Sequence, residues 1–281
     1  MIDYPMCLIS WNVAYRVKRQ PEQLARLLDR RPHVIALQEC PQKPARLWCE
    51  GLSEAGFEHI LTTFDLAADP EVLTGGRRYG QILASCWPLD PLLPSGFDIP
   101  WPERVLSAII QAPTGDIEIH TTHIPAGRSH GWTKIDTFVG IHKRLARRSP
   151  IPRILCGDFN SPKQETEDGT VLTFGERMDS EGNIISERDG RWAEGEHSVI
   201  TGLAQYDLPD VYRMLHGYRA QEVSWSRQIY RQQHGGRFDH VFASRMLNPV
   251  KCEYVHAFRE DGLSDHSPLE VRADALRSPG H

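Results

Sequence analysis

Residues 154–160 read ILCGDFN, an apolar run followed by a glycine and then by a carboxylate and an amide that flank one aromatic residue. The apolar run predicts a buried strand, and the glycine and aspartate predict a turn at its end. Asp158 and Asn160 therefore stand where a strand leaves its sheet. Open α/β folds bind their ligands in the crevice at that edge.

Short apolar runs with β-branched residues recur along the chain, and each ends in proline, glycine, asparagine or charged residues. Strands are predicted over residues 7–13, 33–38, 81–86, 105–111, 117–124, 154–156, 238–243 and 269–271. Amphipathic helices are predicted over residues 21–28, 43–55 and 133–148. The mixed order favours a single α/β domain over residues 1–275, with a frayed tail at 276–281.

Polar residues at six predicted strand ends form a candidate site: Asn12, Glu39, His123, Asp158 with Asn160, Asp239, and Asp265 with His266. Taken singly, each is explained by an ordinary turn. Together they predict a cluster of acids, amides and imidazoles at one edge of a sheet. Hard oxygen ligands of this kind suit Mg²⁺ or Mn²⁺ better than Zn²⁺.

The overall composition is that of a globular protein. The chain has 281 residues, 40% of them hydrophobic, and its 32 Lys+Arg against 37 Asp+Glu give a net charge of −5. This balance excludes a disordered chain and a protein that is basic over its whole surface. Any binding of nucleic acid must therefore rest on a local patch or on a metal.

The location is predicted from three absences in the sequence. No apolar run approaches the ~18 residues that a membrane span requires. The first residues carry no basic segment typical of a signal peptide. None of the six cysteines forms a Cys-x-x-Cys pair, which argues against a structural zinc site, and three of them lie within apolar runs, where a reduced cysteine is a small hydrophobic residue. We therefore expect a reduced, cytoplasmic protein without a membrane span or an obligate protein partner.

Five short motifs occur in a fixed order: Trp11-Asn12, Leu37-Gln38-Glu39, GDFN at 157–160, FDHVF at 238–242 and SDHSP at 264–268. In this combination the chain resembles the endonuclease/exonuclease/phosphatase (DNase I-like) superfamily from about residue 8 to residue 271. The resemblance implies a four-layered α/β sandwich, in which two packed mixed β-sheets are flanked by helices.

The resemblance also implies roles for the strand-end residues. Asp158 matches the residue that positions or deprotonates the attacking water, and Asn160 matches a donor to a phosphate oxygen. His266 matches the histidine that contacts the scissile phosphate, Asp239 the acid that orients it, and His123 a further catalytic position. The residues implied for the metal are Glu39 as the principal carboxylate, with Asn12 and Asp265 beside it.

The segment HIPAGR at 123–128 and the helix predicted after it are similar to the exonuclease III and abasic-site endonuclease branch. Two features depart from that branch: His123 stands where it has a catalytic tyrosine, and Cys40 follows Glu39 where a lysine is usual. The candidate substrate-binding residues are Arg128, Trp225, Arg237 and Phe238. Trp225 is explained equally well as a core residue of a strand.

The expected function is Mg²⁺-dependent hydrolysis of a nucleic-acid backbone, with DNA as the substrate and endonuclease or exonuclease activity. Two alternatives remain open. The first is a phosphatase or phosphodiesterase that acts on a small phosphate ester, an inositol phosphate or a phospholipid head group. The second is an inactive phosphate-binding module.

Residues 163–196 contain ten acidic residues against four Lys/Arg, with several glycines and little periodicity. They are predicted to form a long loop or an insertion on the surface. Such an insertion would repel a long polyanion, or it would restrict the site to a small substrate.

Overall fold

The computed structural model describes residues 6–67, 69–93, 96–229 and 232–274, so the predicted frayed tail at 276–281 lies outside the described residues. The strands are β1 (Met6–Asn12), β2 (Val34–Pro41), β3 (His59–Thr62), β4 (Tyr79–Ser85), β5 (Leu89–Leu92), β6 (Val105–Ala112), β7 (Gly115–His123), β8 (Arg153–Asp158), β9 (Gln164–Glu165), β10 (Val171–Leu172), β11 (Glu176–Met178), β12 (Ile184–Ser186), β13 (Trp225–Ile229), β14 (Gln232–Gly236), β15 (Asp239–Ala243), β16 (Pro249–Tyr254) and β17 (Leu269–Ala273). The α-helices are α1 (Gln20–Leu28), α2 (Gln42–Glu54), α3 (Thr63–Leu66), α4 (Gly127–His130), α5 (Trp132–Leu145), α6 (Gly190–Ile200), α7 (Val211–His216) and α8 (His256–Glu260).

Two mixed sheets form the centre of the fold. The first has the order β16-β17-β1-β2-β4-β3, and the second has the order β15-β8-β7-β6-β5. Each sheet contains one parallel pair, β1 with β2 and β7 with β8, and its other pairs are antiparallel. A parallel pair brings two carboxyl ends to the same edge, so each sheet contributes two strand ends to the site.

Alternation of side chains along the strands separates the core into three layers. Leu8 and Ala36 pack between the sheets against Ile119 and Ile154, which come from the second sheet. The residues next to them in sequence point to the other face, because the side-chain period of a strand is two. That outer face of the first sheet packs on α1, α2 and α8, and the outer face of the second packs on α5 and α6. The predicted four-layered α/β sandwich is confirmed.

The segment 163–196 is not a long loop, and the interpretation of it as an insertion stays a prediction. This segment contains the hairpins β9–β10 and β11–β12 and most of α6. Its acids at positions 165, 176 and 196 are buried and paired with basic side chains. The acidic composition therefore does not produce an equally acidic surface, since the charges of Glu165 and Glu196 are balanced by cations inside the fold.

Within the described residues, no helix has the length and apolar content needed to cross a bilayer.

Candidate active site

The predicted strand-end residues meet where the two sheets face each other. Asn12 ends β1 and its amide Nδ2 donates a 2.9 Å hydrogen bond to Oδ2 of Asp158, which ends β8 in the opposite sheet. Glu39, His123 and Asp158 offer atoms that lie within 4.8 Å of one another, and so do Asp158, Asp239 and His266. Asp158 is common to both groups and is the centre of the site.

Local backbone irregularities direct two of these side chains. Glu39 lies in a β-bulge of β2, between Leu37 and Cys40, and has a φ of +56°. This conformation is unfavourable for a residue with a Cβ, and bulges commonly redirect a side chain beside an active site. Asn160 has a φ of +49°, which asparagine tolerates better, and its backbone N–H donates to Oδ1 of Asp158 at 2.8 Å.

The backbone geometry at position 157 explains why the ILCGDFN stretch contains a glycine. Its φ is +135°, and a Cβ at this position would lie 1.9 Å from the carbonyl oxygen of Thr122 on β7. The parallel strands β7 and β8 can therefore pair here only without a side chain. Because His123 is paired with Asp158 in the register of these strands, the glycine sets the distance between two residues of the site.

Asp158 is suited to accept a proton. It is buried, and burial raises the pKa of its carboxyl to about 7; the nearby His266 opposes this rise and Asp239 adds to it. A carboxylate with a pKa near neutrality is a better general base than an exposed aspartate.

His266 is held as a cation by two carboxylates. Its Nδ1 lies 2.8 Å from Oδ2 of Asp239, and its Nε2 lies 3.8 Å from Oδ2 of Asp158. Burial alone would lower its pKa, but Asp239 and Asp158 together raise the pKa to about 10. The hydroxyl of Ser224 donates a 2.6 Å hydrogen bond to the same Asp239 oxygen and fixes this carboxylate.

His123 has the opposite environment. Its Nδ1 lies 2.8 Å from Nη1 of Arg104, and a guanidinium can only donate, so Nδ1 is the acceptor. Burial and the charge of Arg104 hold the pKa of His123 well below its usual value. His123 is therefore neutral, and its Nε2–H points toward Oε1 of Glu39 at 3.4 Å and Oδ2 of Asp158 at 3.9 Å.

The donor chemistry of the site fits a hard divalent cation. Burial raises the pKa of Glu39, and the neighbouring carboxylate of Asp265 raises it further. A cation beside these carboxylates would relieve their repulsion. Neither histidine offers a free nitrogen lone pair, since His123 accepts from Arg104 and His266 is protonated, so oxygen atoms are the available ligands.

The predicted substrate-binding residues do not all reach the site. Trp225 stacks on Phe238 with 5.4 Å between ring centroids, and its indole N–H donates to Asp265 at 3.2 Å. Arg128 is exposed on α4. Arg237 is instead buried, and Glu165 and Asp210 bind its guanidinium within 2.9 Å. This position does not fit the expected contact of Arg237 with substrate, because its charge is already neutralised in the interior.

Sequence reasoning missed three residues that support the site: Arg104, Lys134 and Ser224. The ammonium of Lys134 is buried, donates to the backbone oxygen of Asn160 at 2.9 Å and pairs with Glu196 at 3.0 Å. All three act through partners distant in sequence. A charged residue at a strand start or within an amphipathic helix gives no local signal of such a role.

The chain matches the Endonuclease/Exonuclease/phosphatase family over residues 9–266. No curated protein sequence matches the chain. Among solved structures, an AP endonuclease from Archaeoglobus fulgidus is similar with a TM-score of 0.67 and 17% identity, covering 95% of this chain and 98% of that one.

Two structures of TDP2 are also similar in fold. The protein from Caenorhabditis elegans has a TM-score of 0.64 and 14% identity, covering 97% of this chain and 75% of that one. The D. rerio protein, complexed with single-strand DNA product, has a TM-score of 0.64 and 14% identity, covering 96% of this chain and 99% of that one. With the family match over most of its length and the acid–histidine site described above, this chain belongs to the endonuclease/exonuclease/phosphatase family and is a metal-dependent phosphodiester hydrolase.

Proposed function

We propose that the chain hydrolyses the phosphodiester backbone of nucleic acid, with DNA as its substrate and Mg²⁺, or Mn²⁺ in its place, as its metal. The observation that carries the proposal is the arrangement of Asp158 between a cationic and a neutral histidine, beside the carboxylates of Glu39 and Asp265. It supplies a base, a positive charge and an oxygen-rich cation site within one cluster.

Each residue has a defined part in the proposed reaction. Asp158 accepts a proton from the water that attacks phosphorus. The imidazolium of His266, held by Asp239, stabilises the negative charge that builds on the phosphate oxygens. The neutral Nε2–H of His123 and the second amide hydrogen of Asn160, whose first is donated to the Ile124 carbonyl, are further donors for those oxygens.

Glu39 and Asp265 would hold the cation, with the oxygen of Asn12 beside them. When bound, the metal would neutralise charge on the phosphate and on the oxygen that leaves. The amide oxygen of Asn12 accepts one hydrogen bond from the backbone N–H of Ala14, and an amide oxygen has two lone pairs.

Three features support nucleic acid as the substrate. Trp225 and Phe238 form an aromatic pair beside the site, and aromatic rings stack on bases. Arg128 is an exposed cation that lines one cavity together with Asn160 and Phe238. Among proteins of similar fold, one is an AP endonuclease and another is complexed with single-strand DNA product.

The decisive test measures cleavage of labelled DNA in Mg²⁺, as a single strand and as a duplex with and without one abasic site. We expect Asp158→Asn to reduce cleavage at least ~100-fold, because general-base catalysis contributes this much. Asp116→Asn is the matched control, since Asp116 is an exposed aspartate at the far end of β7.

Glu39→Gln should also slow cleavage, with partial recovery at higher Mg²⁺ or in Mn²⁺, because it weakens the cation site. Full activity of the wild type in EDTA would overturn the metal assignment. Hydrolysis of bis(4-nitrophenyl) phosphate without cleavage of any DNA or RNA would instead indicate a small phosphodiester substrate.

A further inference from the structure

The segment 163–196 forms one wall of a cavity beside the active site. The cavity has a volume of about 560 Å³, which lies in the range of roughly 300–1,000 Å³ found for small-molecule sites. Asn160 lies on its border with the catalytic cluster, and the segment contributes Phe174, Arg188 and Trp192 to the lining. The opposite wall comes from the α4–α5 region, with Arg128 and Lys134.

The part of the cavity lining that Trp192 forms is tightly packed. The indole N–H of Trp192 donates to the buried carboxylate of Glu196 at 2.6 Å. Two glycines allow the ring to pack closely, since a Cβ on Gly127 or on Gly175 would lie 2.8 Å from it. The guanidinium of Arg188 lies 4.1 Å from the centre of the ring. A cavity shaped by tight packing is preformed for its ligand.

The charge of the cavity is opposite to that of the whole chain. Among the described residues, its lining contains Arg128, Lys134 and Arg188 but no aspartate or glutamate, whereas the chain has a net charge of −5. Lys134 is balanced by Glu196, while Arg128 and Arg188 are exposed. The cavity is therefore suited to an anion.

Aromatic side chains give the same cavity a flat apolar surface. Phe174 is 37% exposed, and its ring centroid lies 6.1 Å from that of Phe238. Phe238 in turn stacks on Trp225. A ligand that is anionic and also carries a flat ring matches both properties, and a nucleotide is such a ligand.

We propose that this cavity binds one unstacked nucleotide of a single-stranded nucleic acid, with its base against Phe174 and its phosphate at Arg128 and Arg188. This rests on the proposed function, since the bound nucleotide would adjoin the phosphate that is cleaved. A base within a duplex has both faces covered by its neighbours, so it enters such a cavity only after leaving the stack. The segment 163–196 thus selects single-stranded or distorted substrates.

The test uses a single-stranded oligodeoxynucleotide with one 2-aminopurine, added to the Asp158→Asn protein in Mg²⁺. Stacking on Phe174 should change the fluorescence of the 2-aminopurine. Phe174→Ala and Phe174→Leu should each weaken binding at least about fivefold, the lower end of what a base–aromatic stack contributes. Phe174→Leu retains apolar bulk, so if both variants weaken binding to a similar extent, the loss is due to the aromatic ring.

Arg188→Ala should weaken binding and lower the slope of log affinity against log salt by about one, as expected for one lost phosphate contact. Arg191→Ala is the matched control, because Arg191 is also exposed and stacked on a tryptophan, Trp132, but does not line the cavity. A paired duplex of the same sequence should bind at least about fivefold more weakly than the single strand.

The result that would overturn the proposal is an unchanged affinity in Phe174→Ala and Arg188→Ala. Equal affinity for single strand and duplex, or for deoxyadenosine monophosphate and the single strand, would also overturn it. Cleavage by the wild type is measured in parallel. If the wild type cleaves DNA while these variants bind normally, the cavity assignment fails alone; if it cleaves no nucleic acid, the proposed function fails as well.

Discussion

His123 and His266 flank Asp158 at similar distances, yet they carry different charges. The Nε2 atoms lie 3.9 Å and 3.8 Å from Oδ2 of Asp158. The difference comes from the group behind each ring, which is the guanidinium of Arg104 for His123 and the carboxylate of Asp239 for His266. His123 is thus a neutral hydrogen-bond donor, and His266 is a cation. The two histidines therefore offer a phosphate two different interactions, a neutral hydrogen bond and a positive charge.

The two pKa shifts predict a bell-shaped pH profile of kcat/KM on a small phosphodiester. Activity should rise with pH as Asp158 loses its proton and becomes a base; without metal its pKa is about 7, which is the upper limit expected for this limb. Bound metal will move this limb to lower pH, because a cation favours the carboxylate. Activity should fall as pH approaches about 10, where His266 loses its proton and its charge.

Asp239→Asn tests the alkaline limb. It removes the carboxylate that raises the pKa of His266, so the limb should move to lower pH. An alkaline limb in the same place as that of the wild type would show that another group controls it.

At the scale of elements, the pairing of β7 with β8 depends on Gly157. We expect Gly157→Ala to lower the free energy of unfolding by ~1–3 kcal/mol or more, because the added Cβ meets the Thr122 carbonyl and the strands must separate. Gly190→Ala is the control: this glycine begins α6 and nothing lies within 4 Å of an added Cβ. Urea unfolding measures both variants. Equal stability of the two would contradict the packing argument.

The elements that the sequence predicts well are those with uninterrupted apolar runs. Strand β1, for example, is buried along its whole length and is predicted within one residue at each end. Strand β16 alternates buried Cys252 and Tyr254 with exposed positions, and helix α6 contains glycines and acids. Charged or small residues interrupt the apolar positions of both elements, so neither contains the uninterrupted apolar run on which the prediction depends.

The same limit applies to the site. The convergence of Asn12, Glu39 and Asp158 follows from strand ends in a parallel arrangement, so it was predictable. The contact between Arg104 and His123 was not, because the residue just before β6 meets the last residue of β7 only through the pairing of those antiparallel strands. The burial of Arg237 was hidden for a related reason: its partners Glu165 and Asp210 lie 72 and 27 positions earlier in the chain.

At the scale of the whole molecule, buried ion pairs tie the 163–196 segment to the main fold. Glu165 on β9 binds both Arg213 of α7 and Arg237, at 2.7 Å in each case. Burial alone would raise the pKa of Glu165, but hydrogen bonds and charge from the two arginines lower it to about 2. This carboxylate therefore stays ionised in the folded protein far below the pH at which it would protonate in the unfolded chain.

Stability should consequently depend on Glu165 in a specific range of acid pH. The folded pKa lies below the unfolded one, so the stabilisation is complete above about pH 4.5 and is lost as pH falls toward 2. We expect Glu165→Gln to lower the free energy of unfolding by ~3–5 kcal/mol at pH 7, because it removes the carboxylate that binds the buried Arg213 and leaves the buried Arg237 with Asp210 alone. That difference from the wild type should shrink as pH falls from 4.5 toward 2.

Denaturant unfolding at several pH values measures this dependence. Glu167→Gln serves as the control, since Glu167 is an exposed acid two residues away. A stability loss in Glu165→Gln that is constant from pH 7 to pH 2 would show that ionisation of this carboxylate is not the cause.

The order of the strands along the chain has a consequence for folding during translation. Within residues 6–274, the first strand, β1, occupies an interior place in its sheet and pairs with the last strand, β17. During synthesis β1 cannot form its hydrogen bonds to β17 until β17 has been made. Until then, the edge of β1 that faces β17 stays unpaired. His266 is likewise made late, only a few residues before β17, and without it Asp158 lacks its cationic neighbour. The nascent chain, which is held next to RNA while it is made, therefore cannot complete its hydrolytic centre until nearly all of the domain has been translated.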